Sequence, residues 1–450
     1  MSGSADRRPG LRVAVVGSGP AGFYTASALL ASDLEVEVDL IERLPTPWGL
    51  VRLGVAPDHP NIKAVSRAFE KIALQPGFRF FGNVEVGRDV THEELAARYD
   101  AVVYAVGAQT DRRLGIPGED LPGSWPATAF VAWYNGHPDF QQLDFDLSHE
   151  RAVVIGNGNV ALDVARMLAL TPEELAPTDT TDAAIAAIND AGVKEILVVG
   201  RRGPVQAAWT PVEVGELGEL AGADIVVDAA DLELDDASAA ELEASPPTVR
   251  RNVDHLRDYA ARAPGGMSQR KSRRIKLRFL SSPVAILGED KVEAIELVRN
   301  ELVDGRAVAT DERETIECGI VFRSVGYQGI PLAGVPFDEQ SATIPNVGGR
   351  VEPGLYAAGW IKRGPSGVIG TNKKDATETV ALLLEDAREG ALPPRGDETL
   401  EELLDERGVG AVMYAGWEAI DRAEKAAGEP HGRPRIKLCT WEALLDASLS

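Results

Sequence analysis

Apolar and polar residues near the start of the chain follow the pattern of a strand, a helix and a second strand. Leu11 to Val16 form a short apolar run, which breaks at the glycine-rich segment 17–22. A helical spacing of apolar residues continues through Leu30, and residues 36–41 then alternate with a period of two. This order of elements predicts a strand–helix–strand unit with parallel strands.

The same order of elements recurs later in the chain. Ala152 to Ile155 form an apolar run, and a glycine-rich segment at 156–161 leads into a helical stretch that ends at about Leu170. After an Ala- and Asp-rich excursion, residues 195–199 form the second strand of this unit. The repeat is therefore one of whole domains and not of short motifs.

Three further apolar strands that lead into glycine turns, at 100–107, 321–327 and 355–360, suggest how the two units are joined. The simplest topology places the second unit inside the first, and the chain returns to complete the first sheet after about residue 320. We predict an α/β fold with two nested Rossmann-like dinucleotide-binding domains. Their predicted bounds are 1–110 and 321–450 for the outer domain, with a charged helical tail, and 111–320 for the inserted domain.

The first glycine-rich segment has the spacing that binds a dinucleotide. Gly17 permits a tight turn, Gly19 lets a pyrophosphate approach the backbone, and Gly22 allows close packing of helix on strand. The helix N-terminus adds N–H donors for the phosphates. Glu42 ends the next strand, where a carboxylate can accept hydrogen bonds from a ribose with free hydroxyl groups.

The second glycine-rich segment, with Gly156, Gly158 and Ala161, differs at the end of its second strand. Arg201 and Arg202 stand where the first unit has an acid. A carboxylate would repel a 2′-phosphate, whereas guanidinium groups bind it. The inserted domain is therefore predicted to bind NADP(H), which leaves FAD for the outer domain; the alternative is a solvated arginine pair.

Charge and cysteine content remove several function classes. The net charge of −24 argues against nucleic acid as a partner. Cys318 and Cys439 are far apart, which excludes a disulfide framework, an internal iron–sulfur cluster and a CxxC dithiol. No apolar run is long enough to span a membrane, so the sequence predicts a cytoplasmic protein without membrane contact. No metal ion is called for.

Two further segments carry candidate chemistry. Trp360 opens a glycine-rich stretch, 360–371, which suits contact with a flavin ring, or is a structural turn with a core tryptophan. His59, in the segment 47–60, follows the strand of Glu42 and could exchange protons near neutral pH, although a histidine between prolines is often a structural hydrogen-bonding group.

Long strings in the chain resemble the adrenodoxin reductase family of ferredoxin–NADP reductases. They run from VAVVGSGPAGFYTA through GLVRLGVAPDHP, FGNVEVGRDVT, GNVALDVAR and VGRRGPVQ to KRGPSGVIGTN. The resemblance implies that NADPH electrons pass through FAD to a ferredoxin-type iron–sulfur protein. We weigh one other class of function, a diaphorase or redox sensor with a different acceptor. The nearest rival enzyme is the small subunit of glutamate synthase, whose flavin domain is similar. That subunit has cysteine clusters for iron–sulfur centres, which this chain lacks.

The resemblance also implies site residues by position. The tentative catalytic residues are His59, Glu213 and Trp360. The implied FAD contacts are Ala21, Glu42, Leu50, Val86, Trp360, Gly367, Val368 and Ile369. The implied NADP contacts are Asn157, Gly158, Asn159, Val160, Arg201, Arg202, Glu213 and Gly367.

The electron acceptor is expected to be an acidic ferredoxin, which this acidic protein would repel at long range. The segment Arg250–Arg278 has ten Lys or Arg residues and two Asp residues, so it is a candidate docking surface. The alternative is a solvated face that balances the acidic stretch before it.

Overall fold

The structure is a computed structural model that describes residues 10–262 and 271–450. Its strands are β1 Leu11–Val16, β2 Val36–Ile41, β3 Phe78–Phe81, β4 Ala101–Tyr104, β5 Thr110–Asp111, β6 Ser124–Pro126, β7 Arg151–Ile155, β8 Glu195–Val199, β9 Ala223–Val227, β10 Arg273–Arg278, β11 Ser281–Leu287, β12 Ala294–Val303, β13 Arg306–Glu317, β14 Ile320–Arg323, β15 Tyr327–Gln328, β16 Arg350–Glu352 and β17 Leu355–Ala357.

Helices alternate with the strands of the two larger sheets along the chain. They are α1 Pro20–Leu30, α2 Leu50–Leu53, α3 Pro60–Lys63, α4 Ser66–Ala73, α5 His92–Arg98, α6 Ala127–Tyr134, α7 Asn159–Ala169, α8 Pro172–Leu175, α9 Asp182–Asn189, α10 Pro211–Glu216, α11 Asp236–Ala244, α12 Pro247–Arg262, α13 Trp360–Arg363, α14 Thr371–Glu389, α15 Leu400–Glu406, α16 Tyr414–Gly428 and α17 Trp441–Ser448.

The first sheet has the strand order β16-β17-β4-β1-β2-β3. All its pairs are parallel except β16 with β17. Strand β1 lies between β4 and β2, and its residues Val13 to Val15 are completely buried, as an apolar run in a sheet covered on both faces should be. The strand–helix–strand unit predicted at the start of the chain is confirmed.

The second sheet, with the order β6-β14-β7-β8-β10-β9, is parallel throughout. Strand β7 lies between β14 and β8, as β1 lies between β4 and β2, so the predicted internal repeat is confirmed. Strand β14 straddles the predicted boundary at 320 and belongs to this second sheet. The first sheet is completed later, by β16 and β17, and the domain bounds themselves stay a prediction.

Two chain segments connect the sheets, and they pair with each other. Strands β5 and β15 form a two-stranded antiparallel ribbon, in which Tyr327 lies opposite Asp111. A separate three-stranded antiparallel sheet, β11-β12-β13, follows β10. The second unit is thus inserted between two connecting segments that pair with each other.

The C-terminal tail, to which the sequence assigns no role, bridges the two units. Glu424 on α16 accepts two hydrogen bonds from Arg52 of α2, at 2.5 and 2.9 Å. Lys437 lies 3.2 Å from Asp179, which precedes α9 of the second unit. Trp441 donates to Asp139, also of the second unit, at 2.6 Å. The tail therefore holds both units by buried or half-buried polar contacts.

The structure corrects the extent of the basic segment Arg250–Arg278. Arg273 donates to the carbonyl oxygen of Leu168 at 2.7 Å, Arg274 forms an ion pair with Glu195 on the neighbouring strand β8, and Arg278 forms one with Glu314 of the antiparallel sheet. Because β10 is an inner strand, these cations stabilise the sheet, and Lys271 donates to a backbone carbonyl. Arg270 lies outside the described residues. The exposed cations of the segment are those of α12: Arg250, Arg251, Arg257 and Arg262.

Candidate dinucleotide sites and the buried cluster between them

The turn after β1 requires glycine at two of its positions. Gly17 has a φ of +106°, and a Cβ there would lie 2.5 Å from the carbonyl oxygen of Ala105. A Cβ at Gly22 would lie 1.9 Å from the carbonyl oxygen of Gly17. The first close approach brings the turn after β1 against the residue that follows β4. The second brings α1 against the turn.

Gly19 meets a different requirement, because it faces open space. A Cβ built on Gly19 has no atom of the described residues within 4 Å. Gly19 is also the N-cap of α1, and no side chain of the described part of the protein caps that helix. Open space at an uncapped helix N-terminus fits the pyrophosphate of a dinucleotide such as FAD.

Glu42 is held beside this turn by donors from two loops. Ser18 donates to its Oε2 through the backbone N–H at 3.1 Å and through Oγ at 2.6 Å. The N–H of Leu44 donates to Oε1 at 3.0 Å. Oε1 accepts only one of these bonds and retains a lone pair, so Glu42 is oriented to accept a further hydrogen bond from a ribose.

We expect Glu42→Ala to weaken FAD binding by about tenfold or more, because a charge-assisted hydrogen bond contributes roughly 1.5–3 kcal/mol. The purified variant should lose FAD on gel filtration while still binding an NADP column. Glu37→Ala, an exposed acid on the same strand, is the matched control and should keep its FAD. Loss of NADP binding with FAD retained would mean that the two sites are exchanged.

Other predicted FAD contacts converge on the first turn. A Cβ on Gly359 would lie 2.5 Å from the Cβ of Ala21, which places the start of α13 and Trp360 against α1. A Cβ on Gly49 would lie 3.0 Å from the Cα of Gly19, so Leu50 begins α2 beside the same turn. Trp360 is half-buried, and its ring centroid lies 5.3 Å from that of Tyr327.

The remaining predicted FAD residues lie at the edges of this region. Gly367 has a φ of +81°, Val368 is 60% exposed, and Ile369 packs on the apolar cluster that contains Ala21. Val86 packs on the apolar cluster at the other face of β1, with Val16 and Ile41. Direct contact of these residues with FAD stays a prediction.

The second turn repeats the geometry of the first. A Cβ on Gly156 would lie 2.0 Å from the carbonyl oxygen of Ser324, and one on Gly158 meets no atom of the described residues within 4 Å. The side chain of Asn157 lies against Gly200, because a Cβ built on Gly200 would lie 1.6 Å from Asn157 Nδ2. Asn159 Oδ1 accepts from the N–H of Thr210 at 2.9 Å. Gly158 caps α7 and Val160 follows in its first turn, half-buried, so this end of α7 fits a second pyrophosphate.

Arg201 and Arg202 follow β8 after Gly200, and both are exposed. Their backbone is fixed, because the carbonyl oxygen of Arg201 accepts from Asn300 Nδ2 at 2.8 Å and that of Arg202 accepts from the N–H of Leu280 at 3.1 Å. Neither guanidinium group has an ion-pair partner within residues 10–262 and 271–450. The backbone of the pair is thus fixed, and no carboxylate of the described residues neutralises its positive charges, as an anion-binding site requires.

His59 and Glu213 come from different units and meet in a buried cluster. The Nε2 atom of His59 lies 3.8 Å from Glu213 Oε2 and 2.7 Å from Glu216 Oε2. The side chain of Arg166 contacts both residues and is 3% exposed. The sequence predicted His59 and Glu213 but missed Arg166 and Glu216. The i, i+3 pair Asp163–Arg166, on the buried face of the helix after the second glycine turn, was the available signal.

Burial, together with the nearby Asp163 carboxylate, raises the pKa of Glu213 to about 7, against the opposing charges of His59 and Arg166. Burial also raises the pKa of Asp163. Asp163 and Glu213 share the single guanidinium group of Arg166, so neither of these two buried carboxylates is fully neutralised. Glu213 can therefore give or take a proton near neutral pH.

His59, Glu213 and Glu216 offer ligand atoms within 4.8 Å of one another, a spacing that a metal ion could also use. However, the Nη1 atom of Arg166 lies 3.3 Å from Glu213 Oε2 and 3.9 Å from Glu216 Oε2. The guanidinium group already occupies the cation position of these carboxylates. The donor set fits an arginine-centred cluster better than a metal site.

No helix within the described ranges is both long enough and apolar enough to cross a bilayer.

Residues 11–176 match the family described as pyridine nucleotide-disulphide oxidoreductase. The chain is 53% identical to the NADPH-ferredoxin reductase FprA of Mycobacterium tuberculosis over 97% of this chain and 99% of that protein. It is 42% identical to the mitochondrial NADPH:adrenodoxin oxidoreductase of Arabidopsis thaliana, over 99% and 96% of the two chains.

A solved structure gives the same result. The structure of M. tuberculosis FprA in complex with NADPH has a TM-score of 0.92 and 52% sequence identity, and the match covers 98% of this chain and 100% of that one. A histidine-to-glutamine variant of FprA matches equally well, with a TM-score of 0.92. Likeness of this extent confirms the fold class and the resemblance seen in the sequence. This chain belongs to the family of NADPH–ferredoxin and adrenodoxin reductases.

Proposed function

We propose that this protein is an FAD-dependent ferredoxin–NADP(+) reductase, which transfers electrons from NADPH through FAD to a ferredoxin-type iron–sulfur protein. The observation that carries the proposal is the difference between two otherwise similar sites: Glu42 follows the strand beside one glycine turn, and Arg201 with Arg202 follow the strand beside the other. When bound, FAD supplies the chemistry, because it accepts two electrons as hydride and can release them singly.

The residues of the chain bind and orient the two nucleotides. Gly19 and Gly158 open the two helix N-termini to phosphate, and Glu42 accepts from a ribose. Trp360, half-buried beside Tyr327, would lie against a bound flavin and shield it from water. His59 and Glu213 hold or release a proton near that site.

Steady-state turnover tests this function against the alternative of a diaphorase or redox sensor. We expect the purified protein with FAD to reduce cytochrome c continuously with NADPH, and faster when a ferredoxin from the same cell is added. NADH should be a poor donor. A single round of reduction that then stops would favour a sensor, and turnover that no ferredoxin accelerates would favour a diaphorase.

A reducing compartment suits the two cysteines of the chain. Cys318 is buried, Cys439 is half-buried, and both are free thiols. Free thiols persist in the cytoplasm, where we place the enzyme.

We infer that the acceptor is an acidic ferredoxin and that it docks on α12, rather than on the whole segment Arg250–Arg278. Arg251, Arg257 and Arg262 are exposed on this helix, and its buried face has Val253 and Leu256. Since the net charge of the chain is −24, the two proteins repel each other at distance. A local cationic surface acts within a Debye length of about 8 Å and raises the on-rate.

Replacing Arg251, Arg257 and Arg262 with Glu should slow ferredoxin reduction by about tenfold or more and flatten its dependence on salt, because electrostatic steering changes on-rates by roughly 10–1,000-fold. Reduction of a small neutral dye should not change. The matched control replaces Arg67, Lys71 and Arg422, which are equally exposed, with Glu. A similar loss in the control, or an equal loss with dye and ferredoxin, would remove support for docking on α12.

A further inference from the structure

The buried cluster between the two units has a single cation that all its other members contact. Arg166 donates to both carboxylate oxygens of Asp58, at 2.7 and 3.2 Å, and to Asp163 Oδ1 at 2.8 Å. Its Nη1 donates to Glu213 Oε2 at 3.3 Å. Asp58 lies in the loop before α3 of the first unit, whereas Asp163 and Glu213 lie on α7 and α10 of the second. Arg166 therefore joins the two units at this site.

The imidazole ring of His59 lies between a donor and an acceptor. Its Nδ1 is 3.4 Å from Arg166 Nη2, and its Nε2 is 2.7 Å from Glu216 Oε2. The carboxylate nearest to Nδ1, that of Asp163, lies 4.0 Å away and is beyond hydrogen-bond reach. The backbone of His59 is also fixed, because its N–H donates to the carbonyl oxygen of Ala56 at 3.0 Å.

A guanidinium group has five N–H donors and no acceptor. Nδ1 of His59 can therefore bond to Arg166 only when it carries no proton. The proton of the neutral ring is then on Nε2, where Glu216 accepts it. A proton on Nδ1 would bring two N–H donors face to face, so this contact selects the Nε2–H tautomer over the Nδ1–H tautomer.

We propose that Arg166 is a positioning residue of the proposed reductase: it holds His59 in the Nε2–H tautomer and keeps His59 and Glu213, which belong to different units, in contact. The inference rests on the proposed function only in giving this pair a role in proton handling. The tautomer itself is a property of the folded protein.

The charged groups around Glu213 set the direction of the expected pH effect. Glu213 interacts with Asp163 and Arg166 on α7, Glu216 on α10 and His59 before α3, and Asp58 lies on the far side of Arg166. The hydroxyl group of Tyr134 on α6 is buried, interacts with Asp163, Arg166 and Asp58, and has no hydrogen-bond partner in the described part of the chain. Arg166 is the only cation in this described set besides a protonated His59, so removing it should raise the pKa of Glu213 further.

The direct test is ¹⁵N NMR of the FAD-bound protein with labelled histidine, with the resonances of His59 assigned by their loss in His59→Gln. We expect Nδ1 of wild-type His59 to be the unprotonated nitrogen at pH 8. In Arg166→Met the two tautomers should mix, and Arg166→Lys should restore the wild-type tautomer only in part. Wild-type His59 with its proton on Nδ1 would overturn the proposal without use of any variant.

Kinetics supply a second readout. The midpoint of the pH profile for flavin reduction by NADPH should move upward by about one pH unit or more in Arg166→Met, because an opposite charge within 4–6 Å shifts the pKa of a carboxyl group by roughly 1–3 units. Arg395→Met, which removes another largely buried arginine paired with a carboxylate, should change neither the tautomer nor this midpoint.

The failures of the two proposals are distinguishable. An unchanged tautomer and an unchanged pH midpoint in Arg166→Met would refute the role of Arg166, whatever the acceptor is. Absence of ferredoxin-stimulated turnover in the wild type would refute the proposed function and leave the tautomer result valid.

Discussion

Replacing Arg201 and Arg202 together with alanine should weaken NADPH binding by about 100-fold or more and leave NADH binding nearly unchanged. Each guanidinium group can contribute a charge-assisted hydrogen bond to the 2′-phosphate, worth roughly 1.5–3 kcal/mol, or about tenfold or more in affinity. The backbone carbonyl groups of both residues are fixed by Asn300 and Leu280, so truncation should leave the turn intact. Titration calorimetry with NADP⁺ and steady-state kinetics with both donors measure the effect.

The control for this experiment removes exposed arginines from the same unit. Arg306 and Arg313 lie on β13, where both are exposed. Their replacement with alanine lowers the positive charge of the unit equally and should leave NADPH binding unchanged. If the Arg201 and Arg202 variant weakens both nucleotides to the same extent, the 2′-phosphate is bound elsewhere.

Breaking the ion pair between Arg52 and Glu424 should have the largest effect on stability. The two side chains are 4% and 0% exposed, and Arg435 also donates to Glu424, at 3.1 Å. Arg52→Met leaves the buried carboxylate with fewer donors, which costs about 3–5 kcal/mol of the free energy of unfolding. Urea denaturation measures this cost. Lys425→Ala breaks an exposed pair on the same helix and should cost less than about 1 kcal/mol.

The same pair gives the stability a defined dependence on pH. Burial opposes ionisation of Glu424, but Arg52 and Arg435 outweigh it and lower the pKa of this carboxyl group. Its contribution to stability is therefore complete at neutral pH and is lost as the pH falls through the lowered pKa of the folded state. Glu424→Gln should flatten the acid side of the stability profile, and an unaltered acid limb would show that the ion pair contributes nothing measurable.

The parts of this fold that the sequence predicts are those with local causes. The β1 strand and the Gly17 turn are recognisable because burial on both faces and a positive φ each restrict the residue types allowed nearby in the chain. The identity of the nucleotides followed from Glu42 and the Arg201–Arg202 pair for the same reason. Each signal is contained within one strand–helix–strand unit.

The parts that escaped prediction depend on contacts between distant segments. Nothing local shows that Arg166 reaches Asp58, because their meeting requires both units to be in place. The strand at 320–323 has the same apolar pattern as 355–357, so periodicity cannot say which sheet each one joins. In the sequence, Arg273 and Arg274 resemble surface cations. In the structure they lie on the inner strand β10, where Arg273 donates to the carbonyl oxygen of Leu168 and Arg274 pairs with Glu195.

The nested order of the strands has a consequence for how the protein is made. Strand β1 leaves the ribosome before the second unit, yet its sheet lacks β16 and β17 until the entire second unit has been synthesised. Domains generally fold as units during synthesis, so the inserted unit can be complete while the unit that surrounds it is still open. The tail contacts of Glu424 and Lys437 form later still. A ribosome stalled after residue 410 would therefore carry two assembled nucleotide-binding sheets whose relative position is not yet fixed by the tail.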